Sequence, residues 1–339
     1  MISMSLRLRL ALLLSLGATP AAAQEFYSGK IVRFNVTSAA GTSYDSLART
    51  TVRHLERHIP GNPRVIVQNM PGAGGLVGTN HLYNIAEKDG TFLTMINRNA
   101  ILQPIVGNKQ ARFKSSDFYW LGTPATYRDE PYVFVLHGKM PQKTADEIRK
   151  SPVQLNIGNS GSVMVRLLNE ALGFNVKIVE GYEKTVLDLA FERGEVDGMG
   201  VGYTNLNARF PGMLEKKAIT VMVQFGSEER SPALPDIPTA RELAISPTAK
   251  SLLEFIEAPF SIAYPIALPP GVPADRAALM RKAFESAWMD PGYKADIEKQ
   301  RLSYSPKFGE RVQAEVASLS SATKEVVDRY LELAPSGGD

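Results

Sequence analysis

Short apolar runs alternate along the chain with stretches whose apolar positions recur every three or four residues, and loops of small polar residues separate the two kinds. "KIVRFNV" (30–36) reads as a buried strand and "TSAAGTSYDS" (37–46) as a loop. A helix follows with Leu47, Val52, Leu55 and Ile59 on one face, stopped by Pro60-Gly61. "RVIVQN" (64–69) is a second strand, the glycine-rich "QNMPGAGGLVG" (68–78) turns the chain, and a helix over 76–87 carries Leu82, Ile85 and Ala86 on its apolar face. "GTFLTMI" (90–96) is a third strand. Strands alternating with helices in this way predict parallel βαβ units with right-handed crossovers.

The same grammar returns in the middle of the chain. "VQLNIG" (153–158) is a strand, "NSGS" (159–162) a polar loop, and "VMVRLLNEAL" (163–172) a helix ending at Gly173. "NVKIV" (175–179), the turn "GYEKT" (181–185), a helix ending at Gly194, and "EVDGMGVG" (195–202) complete the block. Two such blocks predict two α/β lobes, each with small-residue loops at the carboxyl ends of its strands, where open α/β sheets bind ligands. The apolar runs "PYVFVL" (131–136) and "AITVMVQF" (218–225) are the candidate crossing strands between lobes. The second lobe, 126–223, is then an insertion in a first lobe made of 24–125 plus 224–339. After a Pro-rich stretch leading into a helix, 274–289 and 310–333 are amphipathic helices expected on the outside of the first lobe.

Residues 1–23 stand apart from this pattern. Arg7 and Arg9 precede an apolar run that ends in Ala21-Ala22-Ala23, the form of a secretory signal cleaved after Ala23. The run is shorter than the roughly 20 residues that span a bilayer. The chain has no cysteine, which excludes a disulfide and a lipoprotein anchor. Loss of Arg7 and Arg9 takes the formal charge from +3 to +1, and a near-neutral chain argues against nucleic acid as a partner. The expectation is an exported, periplasmic monomer.

The glycine-rich segment fails both nucleotide patterns. G-x-G-x-x-G from Gly72 requires glycine at position 77, which is Val77, and no Gly-Lys-Ser/Thr follows. Two readings stay open for Gly72, Ala73 and Gly74: a nest of backbone amides for a carboxylate, or a tight turn with close helix packing. The loop Ala39, Ala40, Gly41, Thr42, Ser43, Tyr44 has the same form, and Thr42 with Asp45 fits the helix-capping spacing. Asn159, Ser160, Gly161 and Ser162 make a third such turn. Three turns that lead helices can hold an anion with few basic side chains. Tyr44, Tyr182 and Tyr203 sit at strand ends where they would line the pocket, and Arg98 is the cation placed where its lip should be, with a surface salt bridge as the alternative.

Catalytic and metal chemistry lack their parts. His54 and His58 stand at zinc-compatible spacing without an adjacent glutamate or a third ligand, so no metal is expected. "NSGS" lacks the glycine that a serine-nucleophile elbow requires. Glu192, Glu195 and Asp197 fit a helix end followed by a strand better than paired acid and base.

"AAGTSYDSLAR" (39–49), "VIVQNMPGAGGLVGTNHLYNIAEKDGT" (65–91), "ERSPALPDIPTARELA" (229–244) and "YPIALPPGVPADRAALMRKAF" (264–284), in this order, resemble the substrate-binding proteins of tripartite tricarboxylate transporters, the Bug receptors. The resemblance spans the mature chain. It implies a type II periplasmic-binding-protein fold whose two lobes, joined by two crossing strands, close on a small organic acid without a cofactor. It also implies delivery of that acid to integral membrane permease subunits. A ligand carboxylate is then held largely by backbone amides and waters, at Ala39 to Tyr44 in the first lobe and at Ser160 to Ser162 with Tyr182 in the second. Two departures leave the substrate open: Ala40-Gly41-Thr42-Ser43 replaces a more glycine-rich loop, and "NSGS" is shorter than its counterpart. A ligand-sensing module with a signalling partner, or a secreted α/β enzyme, are the alternatives.

Overall fold

The computed structural model describes residues 26–300 and 302–334, with the side chains of residues 207 and 208 set aside. The expected signal segment 1–23 lies outside the described residues. Among the described residues eleven strands form two sheets. They are β1 (Ile31–Val36), β2 (Arg64–Asn69), β3 (Phe92–Met95), β4 (Tyr119–Thr123), β5 (Tyr132–His137), β6 (Leu155–Gly158), β7 (Val176–Val179), β8 (Gly198–Gly202), β9 (Ile219–Phe225), β10 (Ile266–Leu268) and β11 (Lys307–Phe308). The first sheet has the order β11-β4-β10-β3-β1-β2 and the second β7-β6-β8-β5-β9. β1, β2 and β3 are parallel, and β10 runs antiparallel between β3 and β4. In the second sheet β6, β7 and β8 are parallel, while β5 runs antiparallel to both β8 and β9.

Helices cover both faces of each sheet, as parallel sheets require. They are α1 (Ser43–Leu55), α2 (Leu76–Asn84), α3 (Ala145–Arg149), α4 (Val163–Glu170), α5 (Lys184–Glu192), α6 (Tyr203–Arg209), α7 (Pro247–Ser261), α8 (Ala274–Trp288), α9 (Pro291–Lys299), α10 (Gly309–Ser320) and α11 (Lys324–Leu333). On one face of the first sheet, Val32, Phe34 and Val36 of β1 pack with Leu47 and Leu55 of α1 and with Phe284 and Trp288 of α8. On the other, Phe92 and Trp120 pack with Leu82, Val312 and Val316. In β5 the period of two sends Phe134 and Leu136 into one core of the second lobe and Val133 and Val135 into the other.

Three expectations need correction. The stretch 310–333 is two helices, α10 and α11, because Thr323 starts a new helix by accepting the Val326 amide at 3.4 Å. The second of these packs on the other lobe: Val326 and Leu333 join the core that holds Phe134 and Leu155, and Arg329 pairs with Glu170 at 2.6 Å. Ile85 is 71% exposed, since α2 ends at Asn84 and the Ile85 backbone leaves the helix.

His54 on α1 and His58 just beyond it pair with Asp296 on α9 and with Asp290, the residue that caps it. His54 Nε2 lies 3.0 Å from Asp296 Oδ2, and His58 Nε2 lies 3.4 Å from Asp290 Oδ2. Arg57 also binds Asp290, and that hydrogen bond, with the Gly292 amide, holds the Asp290 carboxyl down at about 2.

Candidate functional site

The two parallel sheet edges meet at one junction. The chain leaves the carboxyl end of β4 at Thr123, crosses through 124–131, and enters β5 at Tyr132. Tyr132 pairs with Gly202 and Phe225, the last residues of β8 and β9, so the carboxyl edge of the second sheet borders the same crossing. The return crossing starts at Gly226 and runs through α7 to β10. The two crossings touch: the Tyr127 amide donates to Phe260 O at 3.0 Å, and the two rings meet edge-on at 5.2 Å. A cleft between loops at strand carboxyl ends follows from this connectivity.

On the first lobe, the loop after β1 is held from below. The Asp45 carboxylate, buried, accepts from the Gly41 amide at 3.0 Å, from Asn69 Nδ2 at 3.0 Å and from Arg49 Nε at 3.0 Å. Asn69 also donates to Ser38 O at 3.0 Å. Thr42 caps α1 by accepting from the Asp45 amide and donates to Ala39 O at 2.9 Å. The loop is therefore preorganised by side chains that are themselves committed. Gly41's amide is spent on Asp45, and the first-turn amides at Ser43 and Tyr44 lack intrahelical acceptors, as at any helix start. Ala39, Ala40, Gly41 and Ser43 are exposed.

The glycine-rich segment lies beneath this loop. Gly72, Ala73, Gly74 and Gly75 all have positive φ, and the Gly75 amide closes the turn on Gly72 O at 2.9 Å. A Cβ on Gly75 would lie 2.6 Å from Asn97 Cβ, and one on Gly78 would lie 2.8 Å from Thr37 Cγ2. Thr37 Oγ1 in turn accepts the Asn97 amide at 2.7 Å. These two glycines let α2 approach the loops after β1 and β3, whereas Gly72, Ala73 and Gly74 are exposed.

Arg98 follows β3. Its amide donates to the Tyr44 hydroxyl at 3.1 Å, and that hydroxyl donates to Ala263 O at 2.9 Å. Burial pushes the Tyr44 phenol up to about 12, against the pull of the Arg98 amide and charge. The Arg98 Nη1 donates to the Tyr127 hydroxyl at 2.8 Å. Tyr264 packs edge-on to Tyr44 with centroids 4.7 Å apart. Tyr127, Phe260 and Tyr264 were not among the candidate site residues read from the sequence, since all three lie on the crossings and reach Arg98 and Tyr44 only in the fold.

On the second lobe, Asn159 is the brace. Buried to 1% exposure, it accepts the Ser162 amide at 2.9 Å and donates to Ser162 O and to both Glu180 oxygens at 3.1 Å. Ser160 and Gly161 at the tip are exposed, and Ser162 leads α4 without capping it by its side chain. The Tyr182 amide donates to Asn159 O at 3.4 Å, and the Tyr203 amide to Pro131 O at 2.9 Å. Both tyrosines pack partly against the second-lobe core, Tyr203 beside the crossing. The predicted residues thus fall into two groups, one on each sheet edge. Among the described residues no ion pair joins the two groups, and Gly72 to Gly74 belong with the first.

No protein-family model matches the chain, and no curated protein matches it. Among solved structures it is similar to a TctC solute-binding protein from Polaromonas, at 17% identity and a TM-score of 0.68, over 88% of this chain and 98% of that one. The fold is that of a two-lobe solute-binding protein. Weaker likenesses include the periplasmic binding protein BugD (18% identity, TM-score 0.47, 89% of this chain and 97% of that one). Another is MatC from Rhodopseudomonas palustris with bound malate (18% identity, TM-score 0.45, 90% and 99%). The first of these structures carries the fold assignment. Among the described residues no helix is long and apolar enough to cross a membrane.

Proposed function

We propose that the protein is an extracytoplasmic solute receptor, without catalytic activity, that captures a small organic carboxylate by lobe closure and delivers it to the membrane subunits of a tripartite tricarboxylate-type transporter. The observation that carries the reading is the pair of braced turns. Asp45 and Asn159 each spend their polar atoms on fixing a loop at a strand's carboxyl end, and each loop leads a helix whose first amides have no intrahelical partner. Rigid turns of this kind bind an anion without reorganisation. In this reading Ala39 to Tyr44 and Ser160 to Ser162 hold the carboxylate, Tyr182 and Tyr203 line the pocket, and Gly75 and Gly78, packed on Thr37 and Asn97, position the loop after β1. Periplasmic placement after cleavage at Ala23, and lobes divided near residues 126 and 223, belong to the same proposal.

A thermal-shift screen of the mature chain from Gln24 against carboxylic acids, sugars and amines tests it. A carboxylate at a hundred times its Kd adds about 2.7 kcal/mol of stability, which is a clear rise in Tm. A response to sugars or amines with none to any carboxylate contradicts the proposal.

A further inference from the structure

Several arginines near the strand carboxyl ends are neutralised within the protein. Arg49 pairs with Asp45 at 2.9 Å, Arg166 with Glu180 at 2.8 Å, Arg128 with Glu229 at 3.3 Å, and Arg209 with Asp188. Arg98 is half-buried and has no carboxylate partner among the described residues. Its guanidinium instead sits in the corner of two perpendicular rings, 4.9 Å from the centroid of Tyr127 and 5.1 Å from that of Phe260. Ring quadrupoles hold a cation more weakly than a carboxylate does, so an incoming anion meets a fixed positive charge with no internal ion pair to break. The Arg98 backbone amide donates at 3.1 Å to the tip of the Tyr44 side chain, which starts in the first turn of α1.

We propose that Arg98 is the specificity-determining residue of the cleft and takes a second acidic group of the ligand in a direct ion pair, so that the preferred ligands carry two acidic groups. The inference rests on the receptor reading above and sharpens it. Tyr127 and Phe260 come one from each crossing, so the ion pair forms where the lobes are joined, and it favours the closed arrangement. Arg98 supplies planar, in-plane donors beyond the one used by Tyr127, a geometry suited to a carboxylate edge.

The test uses paired probes that differ by one acidic group: succinate and butyrate, adipate and hexanoate, terephthalate and benzoate. Calorimetric titration of the mature chain should show one diacid preferred over its partner by about 30-fold or more, the range for a desolvated charge pair. In Arg98→Gln that preference should shrink to a few-fold, with binding of the monoacid little changed, and Arg98→Lys should recover part of it. Tyr127→Phe, which keeps the ring and removes the hydroxyl, is a milder perturbation and should lower the preference partially. If Arg98→Gln fails to fold, as its melting without ligand would reveal, the Arg98→Lys and Tyr127→Phe arms decide. Equal affinity for diacid and monoacid in the native chain, or an unchanged preference in the folded variants, overturns the assignment of Arg98 while the receptor reading stands. Absence of binding to all six acids together with binding of a sugar or amine overturns both.

Discussion

Replacing Glu257 by alanine should cost about 3–5 kcal/mol of folding stability, the range for breaking a buried ion pair by removing one partner. Glu257 lies on α7 with its side chain at 0% exposure, and its Oε2 is 2.6 Å from the Nε of Arg241, itself 10% exposed. Its other oxygen accepts the amide of Gly226, the residue at which the chain leaves the second sheet, at 3.1 Å. Burial pushes the Glu257 carboxyl up, and the Arg241 charge and the Gly226 amide pull against that. Truncation therefore leaves a buried guanidinium, whose Nη2 already lacks a partner, without its direct ion pair, and releases the return crossing. Urea unfolding should show a lower midpoint with an unchanged slope. The double replacement Glu257→Leu with Arg241→Met should recover most of the loss, because a desolvated pair is replaceable by apolar groups of similar volume. A loss below about 1 kcal/mol in the single variant means that the pair does not hold the crossing.

The second large effect falls on the glycine-rich segment. Gly75→Ala combines two costs: a left-handed backbone at φ 94 and a Cβ 2.6 Å from Asn97 Cβ and 3.1 Å from Thr37 Oγ1. The handedness costs about 1–2 kcal/mol and the overpacking about 1–3 kcal/mol. Gly78→Ala suffers only the second, through Thr37 Cγ2 at 2.8 Å and Met70 O at 3.0 Å. Gly74→Ala suffers only the first, since φ is 62 and nothing lies within 4 Å. Melting temperatures should therefore place Gly75→Ala lowest. It should also weaken ligand binding, because Thr37 and Asn97 carry the loops after β1 and β3. Gly74→Ala should bind nearly as the native chain does. Equal losses for the three variants would show that the segment is not packed in this way.

These results bear on what the sequence disclosed. The βαβ strands were legible because apolar runs such as "RVIVQN" are punctuated by glycines, and Gly173 and Gly194 do end their helices with positive φ. β4 and β10 were not legible, and of α7 only its place after the Pro-rich stretch was. β10 is three residues long and next to a Pro-rich stretch, and α7 is buried on most sides with Pro259 inside it, which hides the helical period. The stretch 310–333 read as one helix because its apolar spacing continues across the Thr323 cap. The turns at 39–44 and 159–162 were visible as small-residue loops between strand and helix. Their braces were only half visible: Asp45 showed as a capping residue, whereas its bonds to Asn69 and Gly41 required the fold. Tyr127, Phe260 and Tyr264 are far from Arg98 in sequence, and the one available signal was that Tyr127 closely follows the apolar run "YWLGT" (119–123), as a strand-end residue would. For the glycine-rich turn, the structure favours the packing reading at Gly75 and Gly78.

The most direct test of the account is lobe closure on a carboxylate. The chain has no cysteine of its own, so Val77→Cys on α2 and Val186→Cys on α5, at positions 47% and 51% exposed, can carry a pair of spin labels without background. Addition of the acid that raises the melting temperature should shorten the distance between the labels by several ångströms, and Arg98→Gln should need more of the same diacid to reach the short distance. A label distance that stays the same when the acid is bound would contradict the account.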